Sequence, residues 1–460
     1  MRRIRRLRVH SLAVALLAGL AWSSDSNVTD DAALQGLIAE ALARRPELRA
    51  AEATLEAQRQ LAPQVRALPD PMLEVGIQND GFARLELGTM ETSWISIMTS
   101  QTVPWPWKLA ARGKLAELAP AQAEQALARL RLSTEADVRR AWVDLALARD
   151  RLVLLGRLEE LWRQSAELAR SRYEVGEGAQ SDVLRAQLEL NRVKQRRLAL
   201  QAEERQSLQA LNRLRAAPLE TAIATPASLR DRPLPPVPEA AALVADALER
   251  SPERALTRLG SAAADAAVAV ARQSWGPDVT FRAGLMPRGT TLPPMWLVSV
   301  GSTLPVWGTV KQARAVEEAA ARLRAARADL ETIEQLVALR SSQRLAAMRA
   351  IGDTLALYRE GLLIQSQATA ASTLAQYKVG KVGFLAVLEA NAGYVADEDG
   401  YLRALADAWR LAIAAREVSL DAPPALGGAA MAAPVMAGSG AQAQPSAAGG
   451  TSAAPPQGGM

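Results

Sequence analysis

The chain has 460 residues, a formal net charge of +5, no cysteine and a single histidine, His10. Five of its 54 basic residues (Arg2, Arg3, Arg5, Arg6 and Arg8) precede residue 9, which leaves the rest balanced at 49 basic and 49 acidic side chains. The high isoelectric point is therefore no evidence for nucleic-acid binding, and no dense basic patch with interleaved aromatics remains. The missing thiols and imidazoles exclude disulfides, Cys or His catalysis and His/Cys metal centres downstream of the first segment.

Residues 1–23 read as a secretory signal peptide. A basic start leads into the apolar run Leu12 to Leu20 and a small-residue exit at Ala21 to Ser23, too short to span a bilayer permanently. Cleavage is expected near Ala21 or Ser23. Beyond it the chain repeats itself. Arg45-Pro46-Glu47, Pro71, Val103-Pro104-Trp105 and Tyr173-Glu174-Val175-Gly176 return about 204 residues later, in the same order. The returning copies are Ser251-Pro252-Glu253, Pro277, Leu304-Pro305-Val306 and Tyr377-Lys378-Val379-Gly380. Two structural repeats are therefore expected, 31–229 and 239–420, joined by a proline-rich linker at 230–238. The Ala/Gly/Pro/Ser-rich stretch 421–460 reads as a disordered tail.

Each repeat begins with a medium helix and continues into two strands. Leu73, Val75 and Ile77 alternate with Glu74, Gly76 and Gln78, and residues 94–101 form the partner strand. In the second copy Val279, Phe281, Ala283 and Leu285 alternate with Thr280, Arg282 and Gly284. There Trp296, Val298 and Val300 oppose Leu297, Ser299, Gly301 and Thr303. Each pair ends in a proline–tryptophan cluster that contains Trp105, Trp107 or Trp307. Tryptophan at the end of an apolar band fits a membrane interface. Four strands cannot close a barrel, and an open sheet in lipid leaves backbone groups unpaired, so spanning strands require oligomerisation. Two copies would give eight strands and a filled interior; three give twelve and a lumen.

Long helices follow, over 108–172 and 310–376. Each is roughly 65 residues, or about 100 Å, with Pro120 marking a kink or a helix start. Heptad spacing predicts a packed seam through Val138, Ala141, Leu145, Ala148, Leu152 and Leu155, a second through Met348, Ile351, Leu355, Tyr358 and Leu362, and a third through Leu402, Leu405 and Trp409. Gly176 and Gly380 break the two long helices, and shorter helices return over 181–215 and 384–418. No nucleotide-binding glycine loop or nucleophile elbow is present, so neither an enzyme nor a cofactor is expected.

With Tyr173-x-x-Gly176 before Asp182-Val183-Leu184 and Ala186-Gln187, and Tyr377-x-x-Gly380 before Val387-Leu388-Glu389 and Ala390-Asn391, the chain resembles the TolC-type outer-membrane efflux factor family over about residues 31–420. The resemblance implies a mainly α fold with four transmembrane β-strands per chain. It also implies a homotrimer whose twelve-stranded β-barrel, set in outer-membrane lipid, continues as an α-helical periplasmic barrel. Such a protein acts as the passive exit duct of a tripartite efflux system, with a periplasmic adaptor and an inner-membrane pump, in a Gram-negative outer membrane.

By the same resemblance Val175, Gly176, Val379 and Gly380 are the expected adaptor-docking tip, and Asp182, Tyr377 and Glu389 the expected aperture residues. On the residues alone, Tyr377 equally suits interhelical packing, Asp182 an N-cap and Glu389 a solvated face. Ala386 stands where the first copy has Asp182, which weakens any acidic ring. With no cysteine for a lipid anchor, insertion of the barrel alone is expected to hold the protein in the membrane. Leu68-Pro69-Asp70-Pro71 and 103–108 look most like the branch paired with heavy-metal pumps of the resistance–nodulation–division (RND) type, so metal cations count among the expected cargo. The competing class is a soluble periplasmic coiled-coil scaffold with a small sheet.

Overall fold

A computed structural model describes residues 32–82, 84–225 and 228–422. The expected signal peptide, and the expected tail from residue 423 onward, lie outside the described residues. The chain opens with α1 (Ala32–Arg44), α2 (Pro46–Arg59) and α3 (Leu61–Arg66), then β1 (Met72–Gln78) and β2 (Trp94–Val103). Next come α4 (Pro106–Ala116), α5 (Leu118–Glu174) and α6 (Gln180–Leu214). The second half holds α7 (Ala240–Arg250), α8 (Pro252–Gln273), β3 (Val279–Met286) and β4 (Met295–Ser302). It closes with α9 (Gln312–Leu357), α10 (Leu363–Lys378) and α11 (Phe384–Glu417). Pro46 and Pro252 each occupy a first helical turn, where the missing N–H costs nothing, so each expected medium helix is split at that proline.

The four strands form one antiparallel sheet in the order β1-β2-β3-β4. Its register decides which side chains share a face. Val75 lies opposite Ile97, Ile97 opposite Leu285 and Leu285 opposite Trp296, while Phe281 lies opposite Val300. The apolar rows of all four strands thus fall on one side. On the other side Ser100 faces Arg282 and Arg282 faces Ser299. Leu73, Val75, Ile77, Val298 and Val300 are all exposed, Leu73 by 70%. No described part of the chain covers this face.

The helical layer repeats that geometry. Toward the tips α5 packs between α6 and α11, and α11 packs in turn against α9 and α10, giving a strip whose outer members are α6 and α10, while α8 also packs against both α5 and α9 and α7 against α9. The predicted seams form its interior: Val138, Leu145, Ala148, Leu155, Met348, Ile351 and Leu355 are buried and Ala141 and Leu152 half-buried, with Leu402, Leu405 and Trp409 of α11 facing them. Ion pairs cross the same seam. Arg410 meets Asp144 at 2.5 Å and Arg151 meets Asp399 at 2.7 Å.

Two expectations need correction. The first long helix is interrupted at Glu117, so α5 has 57 residues and runs about 85 Å. Pro120 sits in its first turn, where a helix tolerates proline, and marks a start rather than a kink. The second long helix carries a π-turn at Tyr358–Leu362. The extra residue in that turn advances the seam by one position, so Leu363, not Leu362, packs against the core. The seam then continues through the buried Ala370 and Tyr377.

The linker is fixed in place. Leu229 is fully buried, and the Asp150 carboxylate of α5 accepts from the Leu229 N–H at 2.8 Å and the Ser228 hydroxyl at 3.0 Å. Arg230 pairs with Glu398 of α11. Near the opposite end of α11, Glu417 is only 3% exposed and receives Arg129 at 2.9 Å and Arg140 at 2.6 Å, both from α5. The neighbouring Arg344 of α9 donates to the Ser419 carbonyl at 2.7 Å, and burial lowers its pKa. Removing one member of a buried pair leaves the others uncompensated. Glu417→Gln is therefore expected to destabilise the protein by about 3 kcal/mol, the lower end of that range because Arg129 and Arg140 are partly solvated. A lowered denaturant midpoint of the detergent-solubilised protein checks this; an unchanged midpoint contradicts the ion-pair role.

Candidate functional site

Two regions hold the residues singled out in the sequence. The first is the junction where strands become helices. There Trp105, Trp107 and Trp307 are exposed, with Trp307 the most open at 73%. A fourth tryptophan, Trp275, joins them and was missed by the sequence reading, although its place just before Pro277 and β3 was a usable signal. The junction is built on close approaches to glycine. A Cβ at Gly276 would fall 2.5 Å from the Trp105 ring, and one at Gly308 would fall 2.4 Å from the Trp275 ring. Asp278 ties the two halves together here. Its Oδ1 accepts from the Trp105 N–H at 3.0 Å and from Lys108 Nζ at 2.9 Å.

The second region is the pair of hairpin tips at the far end of α5 and α10. Both helices end in the same motif. Gly176 (φ +79°) donates to the Tyr173 carbonyl at 3.0 Å and Glu177 donates to the Arg172 carbonyl at 2.9 Å. Gly380 (φ +75°) donates to the Tyr377 carbonyl at 3.0 Å and Lys381 donates to the Gln376 carbonyl at 2.9 Å. This is the double hydrogen bond of a Schellman cap, and the left-handed residue in it favours glycine. The residue before each glycine points outward: Val175 is 71% exposed and Val379 is 67% exposed.

Tyr377, by contrast, is only 2% exposed and packs with Phe384, Val387, Ala169 and Ala186 in the seam between the hairpins. Its ring centroid lies 5.3 Å from that of Phe384. Burial first, and the nearby Asp182 charge second, raise the Tyr377 pKa. Its hydroxyl is therefore neutral at ordinary pH. Of the two readings left open for this residue, interhelical packing is the one its surroundings match. Asp182 occupies the third position of α6, and the cap position belongs to Ala179, so the N-cap reading of Asp182 does not hold. Its charge still suits the positive end of the helix. Glu389 is exposed and borders a cleft between α10 and α11 lined by Thr369, Thr373, Tyr394 and Asp397.

The sequence reading also missed Arg172. This side chain leaves the first tip, donates to the Tyr377 carbonyl in the second, and lays its guanidinium 5.0 Å from the Tyr377 ring centroid. One arginine thus joins the two hairpins. Among the described residues, no group of three or more His, Cys, Asp or Glu is placed to hold a metal ion, and no helix is long and apolar enough to cross a membrane.

Adding a Cβ at a left-handed position costs about 1–2 kcal/mol. Gly176 has open space around it, whereas a Cβ at Gly380 would lie 3.2 Å from Arg172 Nη2. Gly380→Ala is therefore expected to loosen the tip more than Gly176→Ala does. Faster tryptic cleavage at Lys378 and Lys381 in the first variant than in the second checks this; equal rates contradict the arginine bridge.

Residues 37–217 match the family model described as outer membrane efflux protein. The fold is similar to the outer-membrane channel OprN, with a TM-score of 0.72 and 21% identity over 86% of this chain and 92% of that one. It is similar to VceC of Vibrio cholerae, with a TM-score of 0.71 and 19% identity over 84% and 95%. It is also similar to CusC, solved in a study of folding and transmembrane channel formation, with a TM-score of 0.69 and 18% identity over 84% and 90%. Comparison with curated protein sequences gives no match. The first half of the chain thus carries the pattern of the outer membrane efflux protein family, and the chain as a whole shares its fold with solved outer-membrane channels.

Proposed function

We propose that this protein is the exit duct of a tripartite efflux system, a homotrimer fed by a periplasmic adaptor and an inner-membrane pump of the RND type. One observation carries the proposal. The sheet and the tip-side part of the helical layer are both strips with two free edges, β1 and β4 in one, α6 and α10 in the other. A free sheet edge in hydrocarbon leaves N–H and C=O groups unpaired, at several kcal/mol each. Pairing β4 of one copy with β1 of the next removes that cost. Three copies close twelve strands, enough for a lumen, and the same rotation aligns twelve helices below them.

In this assembly the exposed row of Leu73, Val75, Phe281 and Val300 meets acyl chains, and Trp105, Trp107 and Trp307 sit at the lipid–water boundary. The large periplasmic portion ends at the tips. Val175, Gly176, Val379 and Gly380 form the surface an adaptor contacts. Asp182 and Glu389 flank the aperture, where three copies of each carboxylate would favour cations. Tyr377 acts there indirectly, by fixing the spacing of the two hairpins. In this assembly the driving energy comes from the pump.

Val175→Asp combined with Val379→Asp tests this reading. The variant is expected to lose efflux while the detergent extract still shows a heat-modifiable trimer in normal amount. Full resistance in cells carrying it would overturn tip docking. Release of the wild-type protein by osmotic shock as a monomer would overturn the duct itself and favour the soluble scaffold.

A further inference from the structure

Between the main core and the tip cluster, a cleft of about 510 Å³ opens among α5, α6 and α11. Its floor is made of the buried Leu154, Leu155, Leu158 and Trp162 of α5. Leu200 of α6 and Val395 of α11 wall it on either side, and both pack on the same small apolar cluster. The three helices leave the cleft open because the side chains facing it are short. These are Ala199 on α6 and, one turn apart on α11, Ala392 and Ala396. A concave, mostly apolar space of roughly 300–1,000 Å³ with a few convergent polar groups is the usual form of a small-molecule site.

The charges on its rim decide which molecules fit. Each helix supplies one arginine: Arg151 from α5, Arg196 from α6 and Arg403 from α11. The carboxylates of the rim are all engaged. Glu203 and Asp399 hold Arg151 at 3.0 Å and 2.7 Å, Asp399 also holds Arg403 at 2.6 Å, and Glu189 pairs with Arg192. Arg196 is exposed and meets no carboxylate among the described residues. An uncommitted guanidinium beside an apolar floor favours a ligand that carries an acidic group, through charge-assisted hydrogen bonds that a neutral or cationic molecule does not gain.

We propose that this cleft binds small amphiphilic anions, with an apolar ring body seated on Leu155, Leu158 and Trp162 and one acidic group held by Arg196. The inference goes beyond the duct reading and relies on it in one respect only. In the proposed trimer the neighbouring copies attach at α6 and α10, whereas α5 is flanked on both sides by helices of its own chain. The assembly therefore leaves the cleft uncovered.

The test uses the purified protein in phosphatidylcholine nanodiscs, with the signal of empty discs subtracted, and two fluorescent probes. Anilinonaphthalene sulfonate and phenylnaphthylamine share their ring system and differ by the sulfonate. The wild type is expected to bind the sulfonate saturably and more tightly than the neutral amine. Arg196→Gln is expected to raise the Kd of the sulfonate by about tenfold and to leave that of the amine unchanged. Ala396→Trp fills the cleft from an exposed position and is expected to abolish saturable binding of the sulfonate. A sulfonate affinity that neither variant changes, or an amine affinity that falls as far as that of the sulfonate in Arg196→Gln, overturns the site. Single-channel K⁺ current, read separately in planar bilayers, judges the duct. A wild type that conducts K⁺ but shows no saturable binding therefore overturns the cleft alone.

Discussion

The pairing register between β2 and β3 governs the rest of the molecule. Side chains alternate across a strand with a period of two, so a slip of one residue there would turn the second hairpin's apolar row to the opposite face. In the register found, Ile97 faces Leu285 and Gln101 faces Phe281, and two hairpins far apart in sequence become one two-faced sheet. A clamp just outside the sheet secures this alignment. Asp278 holds the Trp105 amide and the Lys108 ammonium, residues of the first half gripped by one of the second.

The same joining of halves recurs down the helices, by ion pairs along their length and by a carbonyl and an aromatic ring at the tips. Arg410 and Arg151 reach from one hairpin to the other as ion pairs, and the Glu417 cluster locks the end of α11 to α5. At the tips Arg172 binds a carbonyl and a ring of the other hairpin. The two halves are alike in their elements, but these links are one-sided. Gln376 holds the place in the second tip that Arg172 holds in the first, and Tyr173 is exposed where Tyr377 is buried. The asymmetry gives each chain distinct left and right flanks, as a head-to-tail ring requires.

Much of this was legible in the sequence because it rests on local rules. The strands announced themselves by alternation, and the two tips by glycines that only a left-handed cap demands. The seam through Leu145 and Leu355 followed from heptad spacing. What escaped notice depends on contacts between residues distant in sequence. Nothing near Arg172 predicts that it reaches Tyr377, and nothing near Asp278 predicts Lys108. The π-turn at Tyr358–Leu362 escaped because heptad counting assumes a constant number of residues per turn. Asp182 looked like a cap because aspartate favours that position, yet the chain enters α6 at Ala179, three residues earlier.

A duct forms only if the apolar face of the sheet meets lipid and the polar face meets water. The chain contains no cysteine, so single cysteines can be introduced without background. One set replaces Val75 and Val298, the other Ser100 and Ser299, in protein reconstituted into liposomes. A membrane-impermeant thiol reagent should label the serine positions and leave the valine positions unreacted, with probes at the valines quenched by a nitroxide in the acyl chains. Aqueous labelling of Val75 and Val298, with no quenching from lipid, would contradict the account.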